Sequence, residues 1–189
     1  MVSSPAGTRA PRRTDPDRRD RIIDACLDVI AEGGVDGTSH RKVAAAADVP
    51  LGSMTYHFDG MDDLLHAAFT RFADGVAARF ETGMAAASTR EQAVDAVTAL
   101  VAHDVFADTR DLTVTLELYT LAARRPEFRA ITQHWMERSR AALQRHFDPA
   151  TARQVDALVE GLTIHRALAT SADDPRLATE AIRRIVGAD

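Results

Sequence analysis

Thr38-Ser39-His40-Arg41-Lys42-Val43-Ala44-Ala45-Ala46-Ala47-Asp48-Val49-Pro50-Leu51-Gly52-Ser53-Met54-Thr55-Tyr56-His57-Phe58-Asp59-Gly60-Met61-Asp62-Asp63-Leu64-Leu65 reads as two short helices around a tight turn, followed by the start of a longer helix. A hydroxyl of Thr38 or Ser39 can accept from the open amides of a helix that turns Val43, Ala44 and Ala47 inward. Asp48-Val49-Pro50 makes the turn, and Pro50 suits the start of the next helix, which runs past Met54 and Tyr56 to about Phe58 before Asp59-Gly60 interrupts it. In a helix-turn-helix the second helix enters the major groove and the first crosses the phosphate backbone. Val43, Ala44, Val49 and Met54 form the expected inner face, and Arg41, Ser53, Thr55, Tyr56 and His57 the expected outer one. Arg41 suits a guanine edge or a phosphate, Ser53 and Thr55 either, and Tyr56 or His57 a phosphate oxygen. Gly52 permits close backbone approach beside amides that face phosphate. The competing reading is an ordinary packed helix pair with Tyr56 and Phe58 as core aromatics, and Phe58 is expected in the core on either reading.

Upstream, Ile22, Ile23, Cys26, Leu27, Ile30 and Ala31 recur at three- and four-residue steps from a cap at Thr14 or Asp15 to a stop at Gly33-Gly34, which predicts a helix over about 15–32. Downstream, apolar residues from Leu64 to Met84 predict a helix of about 25 residues, or roughly 37 Å. Breakers near Ser88-Thr89, Asp108 to Asp111, Arg125-Pro126, Asp148-Pro149 and Asp173-Asp174-Pro175 divide the remainder into five further helices. No alternating strand pattern or internal repeat interrupts this series, so an all-α fold of about nine helices is expected. The expected organisation is a flexible basic arm over 1–13, a helix-turn-helix domain over 14–60, and a helical domain over 61–189.

The 189 residues are 46% apolar, enough for one large or two modest cores. No apolar run approaches the roughly 18 residues of a membrane span, and the N-terminus lacks the apolar stretch of a signal peptide, so a cytoplasmic protein is expected. Cys26 is the single cysteine and cannot form an internal disulfide. The formal net charge is -5. Against that sum, Arg9, Arg12, Arg13, Arg18, Arg19 and Arg21 face only Asp15, Asp17 and Asp20 in the first 21 residues. That leading end either grips phosphate or is an ordinary solvated tail.

The segment from Arg21 to Phe72 resembles the N-terminal domain of TetR-family transcriptional regulators. Thr38-Ser39, Arg41, Val43-Ala44, Ala47, Val49, Gly52, Met54, Tyr56-His57-Phe58 and Leu64-Leu65 carry the resemblance. It implies a homodimer whose recognition helices enter successive major grooves of a double-stranded operator, and a C-terminal domain that binds a small molecule and lowers DNA affinity. Three positions depart from the family pattern. Pro50 stands where Ser is usual, Thr55 where Tyr is usual, and Met61 where a phosphate-binding Lys is usual. A lost Lys contact should reduce the salt dependence of binding by about one unit of slope. Leu51, where relatives often carry a polar base reader, suits a thymine methyl.

Beyond this domain, Val155, Leu158, Val159 and Leu162 form one stripe of a helix over about 150–172, and Ala157, Gly161, Ile164 and Leu168 form a second. Two stripes predict two partners: the chain's own core and a symmetry mate. With Ile182 and Ile185 in the last helix they suggest a four-helix dimer interface. Phe106, Leu116, Tyr119, Trp135, Met136 and His165 are the candidates for lining an effector cavity, which favours a mainly hydrophobic effector. His103, His134, His146 and His165 lack zinc-ligand spacing, and no nucleophile set, phosphate loop or carboxylate pair has catalytic context, so no metal, cofactor or enzymatic activity is expected. A helical ligand- or partner-binding dimer that has lost DNA recognition is the alternative, and it would account for Met61 and the net acidity.

Overall fold

Apolar residues three and four apart fold into nine helices, with no strand, among the described residues of the computed structural model: 16–103 (side chains through 101), 109–170, 174 and 176–187. They are α1 (Arg18–Gly33), α2 (His40–Ala46), α3 (Gly52–His57), α4 (Met61–Ala85), α5 (Arg90–His103), α6 (Thr109–Arg124), α7 (Pro126–Leu143), α8 (Pro149–Leu168) and α9 (Arg176–Val186). The all-α expectation holds. The basic arm, the Thr14 or Asp15 cap and Phe106 lie outside the described residues.

Local chemistry sets most helix ends. Ser39 caps α2, its side chain accepting from the Lys42 amide at 3.4 Å. Pro126 and Pro149 open α7 and α8, where a missing N–H costs nothing, and the Asp148 carboxylate accepts from the amides of Ala150 and Thr151. Gly60 precedes α4 with φ +129°, a conformation that side chains resist.

Two apolar clusters result. The first joins α1, α2, Met54, Phe58 and the leading part of α4 to Val114, Leu118 and Ala122 of α6 and to Phe128 and Ile131 of α7. The second joins Phe80 and Met84 of α4 to α5, α8, α9 and the end of α7. Helix α4 runs through both, so the helix-turn-helix and the distal bundle share one rigid element. Ion pairs brace it: Arg71 of α4 holds Asp20 and Asp24 of α1, the latter at 3.0 Å, and Arg138 of α7 holds Asp74 at 2.9 Å and Glu81 at 2.7 Å.

Cys26 lies fully buried on the inner face of α1, and burial pushes its thiol pKa up to about 12. Thiolate is the reactive form, so the folded chain is expected to resist iodoacetamide at pH 8 while the unfolded chain reacts freely. Mass spectrometry of both states checks this; fast labelling of the folded chain would contradict the packing of α1.

Candidate DNA interface and effector cavity

The phase of α3 follows from two buried residues four apart. Met54 and Phe58 point into the first cluster, fully and almost fully buried. At about 100° per residue this turns Leu51, Gly52, Thr55 and Tyr56 outward, where all four are exposed. Tyr56 is 83% exposed and Leu51 55%, an unusual outlay of apolar surface on a helix this short. The Tyr56 ring meets His57 edge-on at 4.8 Å, and His57 is half-buried. Ser53 departs from the expected outer face: it sits one position from Met54 and is buried. The helix also starts two residues later than Pro50, because the Pro50 and Leu51 carbonyls accept from the Ser53 and Met54 amides in the preceding turn.

On α2, Arg41 is exposed, and no carboxylate among the described residues pairs with it. Thr38 donates to the Gly34 carbonyl at 2.9 Å, so its hydroxyl braces the turn before α2. A Cβ built on Gly52 meets no atom within 4 Å, so nothing inside the chain requires glycine there. Met61, the first residue of α4, is half-buried against the first cluster. Around it Asp62 pairs with Arg125, a hydrogen bond that holds its carboxyl below the usual carboxylate range, and Asp63 accepts from the Asp59 amide. Packing accounts for the residue found in place of a lysine. The N-terminal side of the interface also carries Arg19, stacked 5.1 Å over Phe58.

A cavity opens where α4, α6, α7 and α8 meet the end of α5, with about 680 Å³ of atom-free space, part of it open to solvent. Tyr119 and Trp135 form its aromatic wall, their rings stacked with centroids 6.2 Å apart and planes 30° apart. Phe72 holds Trp135 edge-on from behind at 6.2 Å. Met136, Phe80, Leu100 and Val159 add apolar surface. Of the six residues expected to line a cavity, Tyr119, Trp135 and Met136 come together here. Leu116 and His165 do not: both are exposed and neither lines the cavity, Thr163 taking the inward position near the end of α8.

Sequence reading missed the polar groups. Asp156 and Glu160, four apart on α8, enter the cavity beside Val159 and Thr163. Asp156 accepts from Arg140 at 2.8 Å. The Tyr119 hydroxyl and the Glu160 carboxylate lie close enough to act on one another. Burial raises both carboxyl pKa values, and burial together with the neighbouring Glu160 raises that of Tyr119. The available signal was an i, i+4 acid pair lying within an apolar stripe. Among the described residues no three His, Cys, Asp or Glu side chains cluster as metal ligands would, and no helix is long and apolar enough to cross a membrane.

Helix α6 ties cavity to reader. Two residues before Tyr119, the Glu117 carboxylate accepts from the Val35 amide at 3.2 Å, in the connection between α1 and α2. Gly34 has φ +69°, a conformation that favours glycine, and a Cβ there would lie 2.8 Å from that carboxylate and displace it. Arg110, on the first turn of α6, holds Asp28 of α1 at 2.7 Å.

The candidate dimer residues divide. Ala157 and Leu168 are exposed on α8, Leu168 to 58%, and Gly161 and Ile164 are half-buried. Ile182 is fully buried in the second cluster against the chain's own α5 and α8, whereas Ile185 is half-buried at its edge. Ile182 is therefore not available to a partner.

A helix-turn-helix bound through a shared helix to a helical bundle is the arrangement of a DNA-binding transcriptional regulator. Comparison with known proteins gives the family. Residues 22–68 match the model of bacterial regulatory proteins of the tetR family, and residues 88–188 match the tetracyclin repressor-like C-terminal domain. The chain belongs to the TetR family of DNA-binding transcriptional regulators. It is similar to a transcriptional regulator of Streptomyces coelicolor A3(2), with 54% identity, 90% of this chain and 99% of that one covered, and a TM-score of 0.85. The multidrug binding protein EbrR, solved with imidazole, is 38% identical, with 91% and 96% covered and a TM-score of 0.78. The transcriptional repressor KstR of Mycolicibacterium smegmatis is 32% identical over 92 residues, which span 49% of this chain and 43% of that protein. The match to the probable regulator YttP of Bacillus subtilis spans 40% of that protein.

Proposed function

We propose that the chain is a cytoplasmic, non-enzymatic repressor that binds a pseudo-palindromic operator as a homodimer and is released by a small, mainly apolar effector. The observation that carries this reading is the pair of surfaces joined by α6: an outward Leu51-Gly52-Thr55-Tyr56 face and a cavity walled by Tyr119 and Trp135. Residues 14–60 are the reading unit, with Thr38, Ser39, Arg41, Gly52, Thr55, Tyr56 and His57 at the phosphate and base edges and Leu51 toward a thymine methyl. Residues 61–189 bind effector and partner. The open α8 stripe of Ala157, Gly161, Ile164 and Leu168 meets its symmetry copy, and two half-sites then supply affinity that one reader lacks. The repressor KstR and the multidrug-binding EbrR, as similar proteins, support repression and an effector site respectively.

Effector binding releases DNA only if the ligand prefers the form whose two readers are set at the wrong spacing. Movement of Tyr119 reaches the turn before α2 through Glu117, which supplies a physical route to that change. A gel shift with DNA from upstream of the chain's own coding sequence tests the reading. Specific retardation is expected, falling steeply with salt and lost when effector is added. The half-buried Met61 and the net charge of -5 favour the second reading, a ligand-binding dimer without DNA recognition. Failure to select any sequence from random DNA would decide for it.

A further inference from the structure

We infer that Arg19 of α1 is a phosphate anchor of the reading head: its guanidinium, stacked on Phe58, receives a duplex phosphate beside the end of α3. This rests on the reading of Leu51, Gly52, Thr55 and Tyr56 as the surface that faces DNA. A row of rings leads from that surface to Arg19. Tyr56, itself outward, meets His57 edge-on at 4.8 Å, His57 lies 6.4 Å from the Phe58 ring, and the Arg19 guanidinium carbon sits 5.1 Å from the centre of that same ring.

Charge around the reader singles Arg19 out. Arg71 is held by Asp20 and Asp24, Arg110 by Asp28, and Arg125 by Asp62 and Glu127, while the Lys42 ammonium donates to the Gly37 carbonyl at 2.6 Å. Arg19, like Arg41, is exposed and pairs with no carboxylate among the described residues. The chain that follows α3 repels phosphate, because Asp59, Asp62 and Asp63 are all exposed there. A phosphate at the end of α3 needs a cation from another element, and Arg19 is placed to be that cation. Stacking occupies the face of the guanidinium and leaves its in-plane N–H groups open, a fork that matches two phosphate oxygens. It also orders the side chain before DNA arrives, so less rotamer freedom is lost on binding. Helix stability does not explain the residue. A cation in the first turn of α1 opposes the helix dipole, which favours acids at that end.

Anisotropy titrations of the full chain on an operator selected from random DNA, across a salt series well below the melting temperature, test this. Arg19→Met keeps an apolar side chain over Phe58 and removes the charge. It is expected to weaken binding about ten-fold on cognate and mutated operators alike, and to lower the slope of log K against log salt by about one per bound chain. The melting temperature should not move. Arg19→Lys keeps the charge without the planar fork, so it should hold the wild-type slope and lose only part of the affinity. A wild-type slope in Arg19→Met overturns the inference: with affinity kept, Arg19 is outside the interface, and with affinity lost, it serves only as a cover for Phe58. Loss confined to one operator position overturns the phosphate role in favour of a base contact. If the wild-type chain selects no DNA, the inference falls together with the DNA-binding reading; wild-type binding that Arg19→Met leaves untouched sinks the anchor alone.

Discussion

Replacing Phe128 with alanine is expected to lower the unfolding free energy by about 3–5 kcal/mol, out of a total that for such domains is about 5–15 kcal/mol. Phe128 is fully buried at the start of α7, where its ring meets Phe69 of α4 edge-on at 5.9 Å and lies under the Arg125 guanidinium at 4.8 Å. Removal loses the transfer free energy of the ring and leaves a cavity in the cluster that joins α1, α4, α6 and α7. The loss should reach the DNA-binding end as well. Arg125 stacks on this ring and holds Asp62 at the start of α4, next to the reader. Urea denaturation followed by circular dichroism checks the stability, and Phe128→Leu should cost distinctly less because most of the volume is retained. An unmoved midpoint in Phe128→Ala would mean that the first cluster is not one cooperative core.

Arg41→Ala should leave the fold intact and cost about 1–3 kcal/mol of operator binding if the guanidinium reads a base. The side chain is exposed on α2 and pairs with no carboxylate among the described residues, so its removal breaks nothing inside the chain. A base contact and a phosphate contact differ in their signatures. Loss confined to one position of the operator marks base reading; uniform weakening, with the salt slope reduced by about one, marks phosphate. Fluorescence anisotropy on cognate and mutated operators across a salt series separates them. Wild-type affinity for both would remove Arg41 from the interface.

The phase of α3 shows how far local pattern carries and where it stops. Residues Met54 and Phe58, apolar and four apart, were legible as an inner face, and Ser39, Asp48 and Gly60 as helix punctuation. Ser53 was misplaced because a small polar residue is compatible with either side of a helix. Only its position next to Met54 in the packed fold turns it inward. Ile182 erred the other way: an apolar residue on α9 is equally suited to its own chain and to a symmetry mate, and α5 and α8 cover this one.

The cavity required more than pattern. Tyr119, Trp135 and Met136 come from two helices, and Asp156 and Glu160 from a third, so no window of sequence contains the site. Aromatic residues at helical spacing show that a face is buried but not that two such faces leave a gap between them. Sequence by itself determined the nine helices, the helix-turn-helix and the family, because caps, breakers and three-to-four-residue spacing act within a turn or two of the chain. Tertiary structure alone decided which acids share a cavity and which apolar stripe is left open, because each depends on helices distant in sequence packing side by side.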